Sequence, residues 1–226
     1  MIASGDKTVL VINPNSSERC TEGIRVAAQA AAGKGIETVT VRMPAAPEYI
    51  VTPEDEAKAA ELVTSYVEAA LQDPGWRFRA VIVACYSDPG LEAVRALLPV
   101  PALGVRESTF ILAHGLGWPY GVLTSEQEEE GEVREAATRC GLAAGLITVQ
   151  GAGCSIAALD EQRPEAVAAL RAAARRAVAE GARSLCLGCA AMAGLEGEVR
   201  EEVGVPVFEC VASAVQLASV YLHMAP

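Results

Sequence analysis

Aromatic side chains are scarce in this chain. Two Trp, five Tyr and three Phe make up 4% of the residues, too few for a surface that stacks nucleobases. A basic surface is missing as well. Eighteen Lys and Arg face 29 Asp and Glu, for a net charge of −11. That excludes a binder that works by neutralising phosphates and argues against docking on an anionic membrane. No apolar run reaches the roughly 18 residues of a membrane-spanning helix. The opening MIASGDKTVLVINPN lacks an apolar leader core and a small-residue cleavage site, so a cytoplasmic location is expected. Thiols stay reduced there, and the seven cysteines show no regular spacing that would mark a disulfide framework. No G-x-x-x-x-G-K-[ST], no G-x-G-x-x-G after the first strand and no G-x-S-x-G is present, which removes support for nucleotide, dinucleotide and serine-hydrolase chemistry. No motif for a metal, flavin or pyridoxal cofactor is found, and none is expected.

What the chain does have is apolar mass. With 226 residues, 51% of them apolar and 21% charged, it can bury a sizeable core. Short β-branched runs alternate with Ala-rich stretches. The strands read are Val9–Asn13, Thr38–Arg42, Ala80–Cys85, Ala102–Val105, Tyr120–Thr124, Gly145–Val149, Ser184–Gly188 and Val205–Phe208. Their nearly continuous apolar character predicts strands covered on both faces. Helix-like segments fall over Cys20–Ala32, Glu54–Leu71, Glu126–Cys140 and Glu165–Glu180, with a last one over Ala212–His223 that packs back on the first half. Such alternation predicts an α/β fold with parallel sheets. The strands fall into two sets of four. The expected architecture is two similar Rossmann-like lobes, residues 1–110 with 210–226 and residues 111–209, each with a mainly parallel four-stranded sheet, and an active site in the cleft between them.

Two cysteines sit in two copies of one local pattern. The first copy reads AVIVACYSDPGLEAVR and the second RSLCLGCAAMAGLEGEVR. Cys85 and Cys189 each end an apolar run and each precede a Gly-Leu-Glu by five residues. A proline-led strand follows each, at Pro101 and Pro206, offset from the cysteine by 16 and 17, with a serine seven residues further on at Ser108 and Ser213. Small buried residues in duplicated strands would give the same spacing. Position distinguishes the cysteines: ligands of open α/β sheets bind beyond the carboxyl ends of the strands, where both fall, together with Asn13 and Thr124. Backbone N–H groups at the following helix start would favour a thiolate or an enolate oxygen. Two such thiols suit removal of a proton from one face of a carbon and its return to the other.

The remaining candidates read as structural. Cys186 and Cys189 form a C-x-x-C without two further ligands at zinc spacing, and Cys186 is taken as core. Cys140 and Cys154 lack a partner motif, whereas Cys20 and Cys210 follow strand ends. His114 and His223 lie outside the repeated context. The acidic run Glu126–Glu132 is read as the solvated start of a helix.

The residues resemble one family. Val11-Ile-Asn-Pro-Asn-Ser-Ser17 is similar to the INPNTS opening of the hydantoin racemases, within the aspartate/glutamate racemase superfamily. Cys85-Tyr-Ser-Asp-Pro-Gly-Leu91 resembles their C-F-G-D-P-G-L, and Gly188-Cys-Ala-Ala-Met192 their G-C-A-G-M. Ala46-Pro-Glu-Tyr-Ile50 with Asp55-Glu-Ala57 resembles a loop leading to a D-E-A helix, and Pro101-Ala-Leu-Gly-Val the strand after the first cysteine. The resemblance implies a cofactor-independent racemase of a hydantoin-like or allantoin-like ring, assembled as a dimer or larger. By position Cys85 and Cys189 match the two catalytic cysteines. Asn13, Ser17, Thr124 and the backbone around Tyr86, Ser87, Ala190 and Ala191 would hold the ring oxygens, with Tyr49 and Ile50 over the ring substituent.

The chain also departs from that pattern. Ser87 replaces Gly, Tyr86 replaces Phe, Arg106-Glu-Ser108 stands where Glu-Ala is usual, and Glu209-Cys210 where Asp and a small residue are usual. Amino-acid racemases of the superfamily place Thr after the cysteines to bind a carboxylate. Tyr86 and Ala190 stand there instead, which favours a neutral ring. A decarboxylase branch keeps only the second cysteine, so Cys85 speaks against it. Other superfamily reactions (amino-acid racemisation, arylmalonate-type decarboxylation, maleate-type isomerisation) and a non-catalytic small-ligand binder stay open as alternatives.

Overall fold

A computed structural model of the chain describes residues 7–224. Residues 1–6 and 225–226, with the start of the opening stretch and the end of the first expected lobe, lie outside the described residues. The chain divides into two compact units, Met1–Val105 with Ala214–Pro226, and Arg106–Ser213. The chain leaves the first unit after Val105 and re-enters it at Ala214.

The first unit contains β1 (Lys7–Asn13), α1 (Glu18–Ala31), β2 (Ile36–Arg42), α2 (Pro53–Leu71), β3 (Phe78–Val83), α3 (Leu91–Leu97) and β4 (Ala102–Gly104). Its sheet runs β2-β1-β3-β4, every pair parallel. Val9, Leu10, Val11 and Ile12 are fully buried, which is why β1 reads as an unbroken aliphatic run: helices cover both faces. β2 lies at the edge and is only partly covered along its length. On one face Leu10, Ile12, Val81 and Val83 pack with Val63 and Val67 of α2 and Val94 of α3. Ala59, Val63 and Val67 recur every fourth residue, so they form one stripe on α2. That helix starts where its sequence specifies. Thr52 Oγ1 accepts from Asp55 N at 3.1 Å, Asp55 Oδ2 accepts from Thr52 N at 3.0 Å, and Pro53 occupies the first turn.

The second unit contains α4 (Val105–Gly115), β5 (Tyr120–Thr124), α5 (Glu130–Arg139), β6 (Leu146–Gly151), α6 (Ile156–Asp160), α7 (Pro164–Ala179), β7 (Ser184–Leu187), α8 (Glu196–Val203) and β8 (Val207–Phe208). Its sheet has the same order, β6-β5-β7-β8, again all parallel. Leu123, Leu185 and Leu187 pack against Leu170, Ala173, Ala174 and Ala177 of α7. Small residues let this helix lie close to the sheet. A Cβ on Gly121 would stand 2.9 Å from Thr148 Cγ2 and 3.4 Å from Ala177 Cβ, so β5 has no room for a side chain there. The last helix, α9 (Cys210–Met224), begins in the second unit and ends in the first. There Ser219 and His223 line the space beside Gly33.

Three expectations shift. The strand expected over Ala102–Val105 stops at Gly104, and Val105 opens a helix with no loop between them. The helix expected from Glu126 begins as a 3-10 turn, Gln127–Glu129, because Glu129 turns back to accept from Glu126 N at 2.8 Å. The strands carrying the cysteines end at Val83 and Leu187, two residues before the thiols.

Thr52→Ala removes the side-chain cap of α2. It should cost about 1 kcal/mol and lower the melting temperature by roughly 2–4 °C in thermal unfolding followed by circular dichroism.

Candidate active site

Each cysteine follows the last rung of an inner ladder. In the first unit Ile12 O accepts from Ala84 N at 2.8 Å, and Asn13 O from Met43 N at 3.1 Å. In the second, Leu123 O accepts from Gly188 N at 2.7 Å, and Thr124 O from Ala152 N at 2.9 Å. The register agrees, with Ile12 opposite Val83 and Leu123 opposite Leu187. The sheets therefore hold the residue before each thiol, and the chain turns away at the thiol itself. Both thiols are half-buried, whereas Cys20, Cys186 and Cys210 are buried.

The Cys85 loop is tight. Asp88 N donates to Cys85 O at 2.9 Å, and Leu91 N to Asp88 O at 3.2 Å. Asp88 takes a left-handed backbone, φ +52°, which Asp tolerates better than most side chains. Its carboxylate lies against the end of β4: a Cβ on Gly104 would be 2.3 Å from Asp88 Oδ2. Gly90, φ +76°, lets the chain pass within 2.9 Å of Ala60 O, measured from where a Cβ would be. Ser87 Oγ stands 3.6 Å from Cys85 Sγ. Burial pushes the Cys85 thiol up; the Ser87 N–H and hydroxyl oppose this, and the negative charges of Asp88 and Glu56 add to it. The thiolate-favouring effect expected of the strand end is thus present but outweighed by desolvation.

The Cys189 loop solves the same turn differently. Cys189 is extended, φ −156°, and caps a single 3-10 turn, Ala190–Met192, with Met192 N donating to Cys189 O at 3.0 Å. Ala190, Ala191 and Met192 are buried. Gly194, φ +87°, takes the place of Gly90. No acid follows the cysteine here. Instead the end of β8 supplies Glu209, whose buried carboxylate accepts from Ala212 N at 2.7 Å and Val211 N at 2.9 Å and so caps α9. Burial pushes this carboxyl up; the Ala212 and Val211 N–H groups and the Cys210 thiol pull it down, and Glu196 raises it.

Asn13, fully buried, uses its amide locally. Its Nδ2 donates to Asn15 Oδ1 at 2.8 Å and to Thr21 Oγ1 at 2.9 Å. Ser17 caps α1 by accepting from Cys20 N at 3.1 Å. Thr124 Oγ1 donates to Glu126 O at 2.7 Å. These three polar side chains stand at the carboxyl ends of β1 and β5 and brace their own loops. Tyr49 and Ile50 are half-buried in the segment before α2, which is tied to the Asn13 loop by Ser16 N donating to Pro47 O at 3.0 Å. Tyr86 is buried. Asn15, which the sequence pattern does not mark as a site residue, organises this corner. Its Oδ1 also accepts from Ser17 N at 2.9 Å, and its Nδ2 lies 3.7 Å from Cys20 Sγ. The Asn-Pro-Asn-Ser string, a turn former, was the available signal.

The other candidates lie elsewhere. Cys186 is core, with Sγ 3.7 Å from Thr109 O, and burial pushes its thiol up to about 12. His114 is on α4 beside Gly145, at the amino end of β6, and His223 Nδ1 lies 2.7 Å from Ser219 O on α9. Among the described residues no three His, Cys, Asp or Glu side chains are grouped to hold a metal ion, and no helix is long and apolar enough to cross a membrane.

Comparison with known proteins identifies the family and the fold. The family model described as Asp/Glu/Hydantoin racemase matches residues 9–218. A hydantoin racemase of Paenarthrobacter aurescens is 31% identical over 93% of this chain and 89% of its own length. Among solved structures, an allantoin racemase from Klebsiella pneumoniae superposes with a TM-score of 0.89 at 27% identity, over 97% of this chain and 89% of that one. An allantoin racemase from Pseudomonas fluorescens gives 0.87 at 30% identity, over 96% and 91%.

Two outcomes test the loop geometry. Gly104→Ala forces its methyl into the Asp88 carboxylate and should destabilise by roughly 1–3 kcal/mol. Adding Asp88→Gly removes both the clash and the left-handed strain, so the double-mutant cycle in denaturant should show coupling of at least about 1 kcal/mol. For Glu209, a carboxyl raised on folding contributes stability that is present below its ordinary value of 4.5 and lost as pH rises through the raised one. Glu209→Gln should therefore lose less stability than the parent as pH is raised above that value, read from unfolding midpoints across pH.

Proposed function

We propose, from the premise that the chain belongs to the Asp/Glu/hydantoin racemase family, that it racemises a neutral hydantoin-like or allantoin-like ring with Cys85 and Cys189 as the two acid/base groups. The observation that carries this reading is the matched placement of the two thiols. Each is half-buried and stands two residues past the third strand of a β2-β1-β3-β4-type sheet, after equivalent last rungs.

The chemistry is a proton exchange through a planar intermediate. One cysteine, as thiolate, takes the proton from the stereogenic ring carbon, C5 of a 5-substituted hydantoin or its counterpart in allantoin. The C–H electron pair moves into the adjacent carbonyl, giving an enolate oxygen. The other cysteine, as thiol, delivers its proton to the opposite face, and the carbonyl re-forms. The thiols have then exchanged protonation states, and the reverse reaction uses them in the opposite order. Nothing is oxidised or reduced. Backbone N–H groups in the first turns after the cysteines, around Tyr86, Ser87, Ala190 and Ala191, would stabilise the enolate oxygen. Asn13 and Thr124 would act by holding the strand-end loops, as would Ser17, with Ile50 beside the ring substituent.

Several features support a ring over a free amino acid. Tyr86 and Ala190, the residues after the cysteines, are buried and offer no hydroxymethyl-type donor for a carboxylate as a Thr would. The named relatives are a hydantoin racemase and allantoin racemases, and the chain spans most of their length. As a family member it is expected to work as a homo-oligomer on a small molecule in the cytoplasm, without a cofactor.

In D2O, each enantiomer of a 5-substituted hydantoin or of allantoin should yield antipode carrying deuterium at the stereogenic carbon. Cys85→Ser and Cys189→Ser should each lower kcat/KM by at least about 100-fold, the scale of a lost general acid or base. Wild-type rates in both variants, measured by polarimetry, would sink the two-thiol mechanism.

A further inference from the structure

The two cysteine loops share their ladder, register and downstream glycine, yet their chemistry differs at one equivalent place. Two residues after Cys85 stands Ser87, with its hydroxyl 3.6 Å from Sγ. Two residues after Cys189 stands Ala191, buried, with only a methyl. The surroundings of Cys85 disfavour a charge. It is desolvated, and two carboxylates act on it: Asp88 from its own loop and Glu56 from the first turn of α2. Desolvation and like charge both disfavour a thiolate. The groups that oppose them come from Ser87, through its backbone N–H and its hydroxyl. Only the hydroxyl depends on the side chain.

We propose that Ser87 is a positioning residue whose hydroxyl holds the Cys85 sulfur in place and favours its release of a proton. A two-base enzyme needs one thiol ionised and one protonated at the start of each turnover. Cys85, left with Asp88 and Glu56 alone, would be held in the thiol form. The Ser87 hydroxyl offsets part of that penalty. Because the enantiomers of a free ring are equal in energy, kcat/KM must be the same in both directions. The effect of the hydroxyl therefore appears in the pH dependence of kcat/KM, alike for both enantiomers.

The catalytic consequence rests on the racemase reading, but the core of the inference needs no substrate. Alkylation of Cys85 by iodoacetamide, followed by peptide mass analysis across pH, reads its ionisation directly. In Ser87→Ala the midpoint should move up by roughly half a pH unit, about a threefold loss of thiolate below it. Ser87→Thr, which keeps a hydroxyl, should hold the parent midpoint. Ser87→Gly keeps the N–H and loses the hydroxyl; it should shift as Ser87→Ala does, and it serves if the alanine variant fails to fold. The lower limb of the kcat/KM profile should move with the alkylation midpoint. An unchanged or lowered midpoint in both Ser87→Ala and Ser87→Gly overturns the inference. A shifted midpoint without racemase activity on any ring would sustain it and sink the functional reading; racemase activity without a shift would do the reverse.

Discussion

The hydrogen bonds from Ala84 N–H to Ile12 O and from Gly188 N–H to Leu123 O are the last rungs of the two inner ladders, and both cysteine loops depend on them. Parallel strands buried on both faces are rigid because every backbone group along them is paired. The rigidity stops where pairing stops. A side chain just beyond that point has a fixed origin and a backbone free to turn, which is what a group that must meet a substrate needs. The apolar runs of β1, β3, β5 and β7 therefore do more than fill a core. Their length decides where each sulfur leaves the sheet.

From that shared origin the loops diverge in how they stay folded. The Cys85 loop stores a left-handed aspartate and stacks its carboxylate on a strand end that only glycine can offer. The Cys189 loop is built from small apolar residues and leaves the acid to Glu209, where it caps α9. Each unit thus has a carboxylate near its fourth strand end, reached by unrelated routes. The first unit sets negative charge beside its thiol and answers it with a serine. In the second, the backbone N–H groups of Val211 and Ala212 take up the carboxylate. Similar folds carry unlike electrostatics.

Most of this architecture was readable in the sequence. The strands were legible because covered strands carry uninterrupted aliphatic runs, and all eight fall within two residues of their expected places. The helix Val105–Gly115 was hidden. Its sequence opens with a valine continuous with the preceding strand, carries Thr, Phe and Ile, and shows no polar cap, so local propensity gave no boundary and tertiary packing imposed one. The pairing of Asp88 with Gly104 was equally silent, since nothing local in Pro-Ala-Leu-Gly-Val says that a carboxylate from another loop takes the place of a Cβ. The cysteines announced themselves by repetition. The ionisation of Cys85 did not, because desolvation and the charge of Glu56 come from segments distant in the chain.

The path of α9 has a bearing on biosynthesis. The first unit is discontinuous: it lacks its final piece until Ala214 onward is made, while the second unit is contiguous from Arg106 to Ser213. A ribosome therefore releases the amino-terminal strands long before the helix that seats against Gly33 exists. The second unit, begun later, is the one that can finish first, and the amino-terminal unit must wait for the last turns of chain to emerge.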